Sequence, residues 1–238
     1  MCPTARSRSS AQGPPRSGGE RKETQFQNLD ALYKTLQDED MPPTSRFSDR
    51  LVLGKGPVHA RLMLIGEQPG DQEDRAGLPF VGPAGKLLDA CLQEAAIPRN
   101  RVFVTNAVKR FKFAQRGKRR LHQRPTSDEI VHYRWWLEQE IRLVDPAVLV
   151  TLGATALQAV LGKRQTLGPL RGNVMCWEGR QLVVTVHPSF LLRLRDASAK
   201  AVERSRLVSE LGKAWAMSEA AQTLSPWRNR NVPTKDTN

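Results

Sequence analysis

The alternation of short apolar runs with helical segments constrains the fold of this chain more than any other feature. Apolar runs of strand length occur at residues 61–66, 101–106, 147–153 and 181–186. Segments with helical apolar spacing or helix start and stop signals occur at residues 82–97, 125–146, 154–162 and 197–221. A turn at Glu178-Gly179 predicts that a hairpin leads into the last strand. Strands alternating with helices predict an α/β fold, a three-layer α/β/α sandwich around a central, mostly parallel four-stranded sheet.

The two ends of the chain differ in composition from its middle. Residues 1–25 contain almost no large apolar side chain and are rich in Ser, Arg, Gly and Pro, so burial cannot offset the entropy of ordering them. They are predicted to form a disordered basic tail, and residues 223–238 a flexible one. Residues 26–222 remain as one domain, a length sufficient for a sizeable core.

Positive charge is in excess along the chain. The 37 Lys and Arg residues against 24 Asp and Glu residues give a formal net charge of +13. This balance favours a polyanionic partner, nucleic acid ahead of an anionic membrane surface. Part of the excess lies in mid-chain, where eight Lys or Arg residues and no acid occur between Lys109 and Arg124. A solvated loop is the alternative interpretation of that run.

Targeting signals and cysteine usage suggest a compartment. No apolar run approaches the length of a membrane span, and the N-terminus lacks the apolar stretch of a secretory signal. The three cysteines are far apart, which indicates reduced thiols rather than a disulfide framework or close-spaced metal ligands. We therefore expect a cytoplasmic, nucleoid-associated monomer with no membrane partner.

Polar residues follow the predicted strands at their carboxyl ends. GEQPGDQED (66–74) comes after the first strand, Asn106 ends the second, and His187-Pro-Ser follows the fourth. Because ligands of parallel sheets gather at this edge, we expect these side chains to converge there. The basic run leaves from the same edge.

Each of these residues has a structural and a functional interpretation. Phe80 is either a core anchor or a platform on which a flipped base stacks. Asn106 is either a turn residue or a reader of uracil, whose O4 and N3–H edge matches a carboxamide. His187 is either structural or a donor to a leaving group. His122 would be a neutral nucleophile if a carboxylate oriented it, and Glu67 is the candidate.

The motifs GEQPGDQED, LPFVGPAG, VTNAVK and VHPS, in this order, resemble those of the uracil-DNA glycosylase superfamily. The nearest group is the family 4 type and its X-type branch, and the resemblance covers roughly residues 50 to 215. The insertion GKRRLH is similar to the loop that marks the X-type branch. In that branch the histidine closing the loop attacks C1′ of the deoxyribose after uracil leaves, and the enzyme stays covalently joined to the DNA.

The resemblance implies catalytic roles for five residues. His122 is the implied nucleophile, and Glu67 orients it and stabilises the oxocarbenium-like state. His187 stabilises the departing uracil anion near O2. Gln68 and Asp71 match further positions of the motif, Asp71 without a defined role.

The resemblance also implies two sets of binding residues. The expected uracil-binding residues are Phe80, Asn106, Gln68 and His187. The expected DNA-binding residues are Lys109, Lys118, Arg119, Arg120 and Ser189. The expected partner is uracil-containing single-stranded DNA, since flipping a base from a duplex costs a few kcal/mol more.

The chain departs from family 4 at its iron–sulfur cluster. Members carry the cluster on cysteines, the first pair closely spaced before the first strand, yet residues 29–56 contain no cysteine. Arg110 and His132-Tyr133 stand where the later ligands would fall, and neither Cys91 nor Cys176 matches a ligand position. We therefore expect no cofactor, with packing or an ion pair replacing the cluster.

The leading hypothesis is an enzyme that excises uracil from single-stranded DNA and becomes trapped on it. The enzymatic alternative is ordinary turnover, in which water completes the reaction. A non-catalytic binder of uracil-containing DNA and a basic nucleoid-binding protein indifferent to uracil are alternatives of other classes.

Overall fold

The computed structural model describes residues 26–223 of the chain. Its helices are α1 (Leu29–Glu39), α2 (Asp71–Ala76), α3 (Pro83–Glu94), α4 (Ser127–Val144), α5 (Ala154–Leu161), α6 (Leu167–Leu170), α7 (Pro188–Arg193) and α8 (Ala197–Thr223). Its strands are β1 (Leu62–Gly66), β2 (Val102–Asn106), β3 (Phe113–Arg116), β4 (Arg119–His122), β5 (Val148–Leu152), β6 (Val174–Trp177) and β7 (Arg180–Thr185). A 3₁₀ turn, Arg99–Arg101, precedes β2.

The central sheet has the strand order β2-β1-β5-β7-β6. The first four strands in this order are parallel, and β6 pairs antiparallel with β7 at the edge. The four predicted parallel strands are thus confirmed, and the fifth strand is the first arm of the predicted hairpin. Glu178 and Gly179 form its turn with positive φ values of 45° and 78°, which suits a two-residue hairpin connection.

Two apolar layers cover the faces of the sheet. Successive residues of a strand point to opposite faces, so Met63 and Ile65 pack in the layer that contains α1, α4 and α5. Leu62 and Leu64 pack in the layer that contains α3 and α8. The predicted three-layer α/β/α sandwich is confirmed.

The predicted helix at residues 125–146 is α4, and its start follows the predicted capping signature. The Thr126 side chain accepts a hydrogen bond from the Glu129 N–H, and the Glu129 carboxylate accepts one from the Thr126 N–H. Trp136 is buried on this helix, and Trp135 packs against the same layer.

The basic run is not an irregular loop beyond residue 112. Strands β3 and β4 pair antiparallel, with Phe113 opposite His122 and Gly117 at positive φ in the turn. This hairpin, residues 113–122, projects from the carboxyl edge of the sheet. Helices α1, α2, α6 and α7 were not anticipated, and α2 lies within the acid-rich stretch after β1.

The predicted tails, residues 1–25 and 223–238, fall outside the described residues, apart from Thr223 at the end of α8. Within residues 26–223, none of the helices combines the length and apolar character needed to cross a bilayer.

Candidate active site

A cavity of about 860 Å³ opens at the carboxyl edge of the parallel strands, beside the hairpin. Eight of the twelve predicted site residues line it: Glu67, Gln68, Asp71, Phe80, Asn106, His122, His187 and Ser189. Lys109, Lys118, Arg119 and Arg120 are not part of its lining. The polar ends of β1, β2 and β7 therefore converge as the sheet topology led us to expect.

The floor of the cavity is built on close packing around Phe80. Its φ of 58° is rare for an aromatic residue, and such strain persists only where the surroundings fix it. Gly66 makes room for it, because a Cβ there would lie 2.7 Å from the Phe80 Cζ atom and would also strike Asn106. The Phe80 ring stacks on His187 with centroids 6.3 Å apart. A flat aromatic face and a carboxamide thus share one corner of the cavity.

His187 is held as a neutral hydrogen-bond donor. Its Nδ1 atom accepts a hydrogen bond from the Ser189 N–H at 3.2 Å, so the proton of the neutral ring belongs on Nε2. Burial, with the nearby His122 and Arg193, lowers the pKa of His187 to about 4. At neutral pH this imidazole therefore carries no charge and donates through Nε2.

His122, the last residue of β4, faces Glu67 across the cavity. Its Nε2 atom lies 3.6 Å from the Glu67 Oε1 atom. Partial burial lowers the pKa of His122, an effect that Glu67 opposes and that Arg124 and Arg193 reinforce. About half of the imidazole, 47%, remains exposed, so its ring is accessible from the cavity.

The two oxygens of Glu67 differ in their surroundings. Oε2 accepts a hydrogen bond from the Thr155 hydroxyl at 2.9 Å. Oε1 is buried and has no hydrogen-bond partner among residues 26–223. A buried carboxylate oxygen without a donor is costly, which marks Oε1 as an atom positioned for a group that comes from outside.

Gln68 is anchored to the hairpin and contacts His122. Its Oε1 accepts from the Lys112 N–H at 3.3 Å, and its Nε2 donates to the Gln123 carbonyl at 2.9 Å. These bonds fix the orientation of the amide, so its Nε2, 2.9 Å from the His122 Nε2, is a donor. Since both polar atoms are engaged, the side chain is better suited to positioning His122 than to the predicted contact with uracil.

Arg120 is directed toward α2, and its contact with DNA stays a prediction. Its Nε donates to Asp71 at 2.5 Å and its Nη1 to Asp74 at 2.6 Å. The guanidinium also lies over the rings of Phe111 and Phe113, at 5.3 and 5.2 Å. Arg120 therefore ties the hairpin to α2.

The acids after β1 are mostly occupied by this packing. Asp71 pairs with Arg75 and Arg120, and these hydrogen bonds lower its pKa although partial burial acts in the opposite direction. Buried Glu73 accepts hydrogen bonds from the N–H groups of Gly70 and Gly82. Of Glu67, Asp71, Glu73 and Asp74, only Glu67 keeps an oxygen without a hydrogen-bond partner among the described residues.

Lys109 was also predicted to contact DNA, and the structure contradicts this. Its side chain is fully buried, with Nζ 2.5 Å from the Glu140 carboxylate. Nζ also donates to the Thr105 hydroxyl at 2.7 Å and to the Asn106 carbonyl at 2.8 Å. The local sequence shows the cation but gives no sign of its acid, which lies 31 residues away on α4.

Arg116, Lys118 and Arg119 are exposed at the tip of the hairpin, and Arg124 is exposed just after its end. They are available for phosphate contacts, and their binding of DNA stays a prediction. Ser189 is half-buried, and its hydroxyl contacts His187 at 2.9 Å and accepts from Arg193 at 3.1 Å.

Two residues at the site were missed from the sequence. Arg193, which ends α7, lines the cavity and lowers the pKa of both histidines. Thr155 binds Glu67 from the start of α5. Its position just after β5 was a usable signal, because the same edge rule applies to that strand.

The described residues do not offer ligands for an iron–sulfur cluster. Cys91 lies on the buried face of α3, and Cys176 lies on the edge strand β6. Between residues 26 and 223 there is no group of three His, Cys, Asp or Glu side chains placed to hold a metal ion. Arg110 and His132-Tyr133, at the expected places of the later ligands, bind Asp40 instead.

Comparison with known proteins agrees with the site. The model of the uracil DNA glycosylase superfamily matches residues 53–211. The chain is 38% identical over 148 residues to a type-4 uracil-DNA glycosylase of Thermotoga maritima, covering 61% of this chain and 73% of that protein. It is 32% identical over 176 residues to a type-4 uracil-DNA glycosylase of Pyrobaculum aerophilum, covering 70% and 85%.

Proposed function

This chain belongs to the uracil-DNA glycosylase superfamily, and from that premise we propose that it excises uracil from single-stranded DNA and is then captured on the abasic site through His122. The observation that carries the proposal is the pairing of two neutral imidazoles in one cavity. His187 is set to donate a proton in a hydrogen bond, and His122 is set to offer a lone pair.

Recognition of the base uses the floor of the cavity. Uracil stacks on Phe80, a contact worth about 1–3 kcal/mol. The Asn106 carboxamide accepts from N3–H and donates to O4, a pattern that cytosine would not match. Gly66, without a side chain, lets both residues approach the base.

Cleavage breaks the bond between C1′ and N1, and the electron pair leaves with uracil. The Nε2–H of neutral His187 donates a hydrogen bond to O2, where the negative charge of the leaving group develops. A neutral imidazole suits this role because it can donate a hydrogen bond to the uracil anion and keep its proton. An acidic imidazolium would instead transfer its proton to that anion. In this proposal the Glu67 oxygen without a hydrogen-bond partner stabilises the sugar as it becomes a cation.

Capture forms a bond between C1′ and the Nε2 of His122. The ring is neutral, and the Gln68 amide donates to Nε2, so that nitrogen carries the lone pair and Nδ1 the proton. The hydrogen bond from Gln68 breaks as the lone pair turns to C1′. After attack the alkylated ring is an imidazolium, and loss of the Nδ1 proton to the uracil anion through solvent restores neutrality. The net change is transfer of the deoxyribosyl group from uracil to histidine.

A denaturing gel tests this proposal. Wild type, His122→Ser and, as a matched control, His59→Ser would each be mixed with single-stranded oligonucleotides that contain uracil or thymine. His59 is exposed and does not line the cavity. We expect a heat-stable shifted band that requires both uracil and His122.

Other results would identify the alternatives. Alkali-sensitive cleavage at uracil without a shifted band would mean ordinary turnover with water as the nucleophile. Neither product, but tighter binding to the uracil oligonucleotide, would mean a binder. Equal binding of both oligonucleotides would mean a basic nucleoid protein.

A further inference from the structure

A buried polar cluster centred on Asp40 joins three distant segments of the chain. The Arg110 Nε donates to the Asp40 Oδ2 at 2.8 Å, and Nη2 donates to the Asp40 carbonyl at 3.2 Å. The Tyr133 hydroxyl donates to Oδ2 at 3.2 Å, and the His132 Nε2 lies 2.7 Å from Oδ1. The Asp40 side chain is fully buried. The Asp40 cluster, Asp40, Arg110, His132 and Tyr133, thus ties the end of α1 and the segment after β2 to α4.

The chemistry of this cluster excludes an iron–sulfur cluster at the same place. Arg110 offers five N–H donors and no lone pair, so it cannot ligate a metal. Both carboxylate oxygens of Asp40 are already engaged by these donors. Removing a buried, hydrogen-bonded guanidinium from its carboxylate to admit a metal would leave uncompensated charge.

The segment that carries Arg110 leads directly into the hairpin. The Phe111 carbonyl accepts from the Ser48 N–H at 2.9 Å, and the Phe113 N–H donates to the Arg46 carbonyl at 2.9 Å. Phe113 pairs with His122 across the hairpin, and the ring of Phe111 lies 6.1 Å from that of His122. A shift of Arg110 therefore moves the residues that support His122.

Two neighbouring ion pairs hold the same segment against α4. Lys109 binds Glu140 at 2.5 Å, and Lys112 binds Glu129 at 2.7 Å, both with side chains almost fully buried. Glu129, Tyr133 and Glu140 are spaced by four and seven residues, which places them on one face of the helix. Along α4, the contact of the Asp40 cluster through Tyr133 therefore lies between these two ion pairs.

We propose that the Asp40 cluster is a metal-free clamp that stands in place of the iron–sulfur cluster of the family 4 relatives and fixes the hairpin that presents His122. Arginine suits this role because its planar guanidinium stays charged and binds several acceptors at once. Asp40 and Arg110 are positioning residues, since they act on His122 through the hairpin. The existence of the clamp does not depend on the proposed function. Only the expected effect of the clamp on capture by His122 rests on that function.

Metal content gives the first test. The full-length protein, purified without oxygen, would be assayed for iron and acid-labile sulfide and for visible absorbance. We expect neither element in stoichiometric amount. Retention of iron and sulfide at the level of one cluster per chain would overturn the proposal.

Hydrogen exchange gives the second test. Amides of residues 112–124 would be compared in wild type, Asp40→Asn, Arg110→Met and the control Arg134→Met. Arg134 pairs with Glu138 at 3.0 Å on the same helix but does not contact the hairpin. We expect exchange in residues 112–124 to be about tenfold faster in the two clamp variants, with the β1 and β5 amides unchanged. Equal exchange in clamp and control variants would overturn the proposal.

Two further variants keep the test decisive if a single substitution prevents folding. Asp40→Asn combined with Arg110→Met leaves no unpaired charge, so it should lie closer to wild type than either single change predicts. His132→Gln removes only the contact at the rim and should loosen the hairpin in the same direction by less. Unchanged hairpin protection in His132→Gln, together with a double variant whose effect equals the sum of the two single changes, would argue against the clamp.

Measuring uracil release and covalent adduct in the same samples distinguishes failure of the clamp from failure of the proposed function. With a uracil oligonucleotide, the clamp variants should release uracil while forming less covalent adduct, because a displaced His122 lets water compete. If wild type releases no uracil, the proposed function fails, and the exchange data still decide the clamp. If the clamp variants lose both reactions equally while their hairpins stay protected, the positioning role fails.

Discussion

The Nε2 atom of Gln68 lies 2.9 Å from the Nε2 atom of His122, and hydrogen bonds to the backbone of Lys112 and Gln123 make the former a donor. The latter must therefore be an acceptor, so its lone pair is directed at Gln68 and the ring proton is on Nδ1. One buried amide thus sets the tautomer of the proposed nucleophile.

Replacing Gln68 should impair capture more than base release. We expect Gln68→Leu to slow adduct formation by about 100-fold, because the ring of His122 loses both its tautomer and its orientation. The rate of the shifted band under single-turnover conditions would be compared with the rate of uracil release. Gln123→Ala is the matched control, since Gln68 uses only the main-chain carbonyl of that residue. Equal loss of both rates in Gln68→Leu would contradict the positioning role.

Capture should depend on pH through His122, and base release should not. The pKa of His122 lies below its ordinary value of about 6.5, so adduct formation should be constant above that pH and should fall below it as the ring gains a proton. His187 has a pKa of about 4, so its neutral donor form persists throughout this range. Rates of both steps measured between pH 4.5 and about 8 would test this.

The pH at which adduct formation falls should shift in opposite directions when the negative or the positive side chains around His122 are replaced. Glu67 raises the pKa of His122, so Glu67→Gln should shift the inflection to lower pH. Arg193 lowers that pKa, so Arg193→Gln should shift the inflection to higher pH. The position of the inflection is read separately from the absolute rate, which both changes also reduce. A shift of the same sign in both variants would show that another group controls the profile.

The exposed and buried cations of the basic run should respond differently to substitution. Lys118→Ser with Arg119→Ser should reduce the slope of log K against log salt by about 1.4 for single-stranded DNA, equally for uracil and thymine oligonucleotides. Titrations at several salt concentrations would measure the slope. No change in the slope would place the DNA elsewhere on the surface.

Lys109→Met should leave the salt slope unchanged and destabilise the fold. The substitution leaves the buried Glu140 carboxylate without its cation, which costs about 3–5 kcal/mol and should lower Tm by about 6–20 °C. Lys109→Met combined with Glu140→Gln should recover part of this loss, because Gln still accepts from the Tyr33 hydroxyl. Thermal denaturation of wild type, both single variants and the double variant would decide, and a fully additive double variant would contradict the ion pair.

The sheet and its edge site could be predicted because their signals are local. Each parallel strand is an apolar run buried on both faces, and each main helix has its own spacing and caps. Once the strands were known to be parallel, their carboxyl ends had to share an edge. Phe80, Asn106 and His187 therefore lie together as expected, and Thr155 was missed only because the rule was not applied to β5.

The fate of the basic run could not be predicted, because a sequence shows charge and not burial. Lys109, Arg110 and Lys112 look like the exposed cations that follow them. They are buried because Glu140, Asp40 and Glu129, which lie 31, 70 and 17 residues away, meet them in the folded chain. A cation is stable inside a protein only beside such a partner, and which acid that is depends on how helices pack.

The sequence alone thus determined the α/β architecture, the edge that holds the site and the residue types in it, since these follow from periodicity and strand direction. Only the tertiary structure decided that Arg120 faces inward, that Gln68 contacts His122 and that Asp40 gathers Arg110, His132 and Tyr133. These are contacts between segments distant along the chain, and their geometry is set by packing against the sheet rather than by any local pattern.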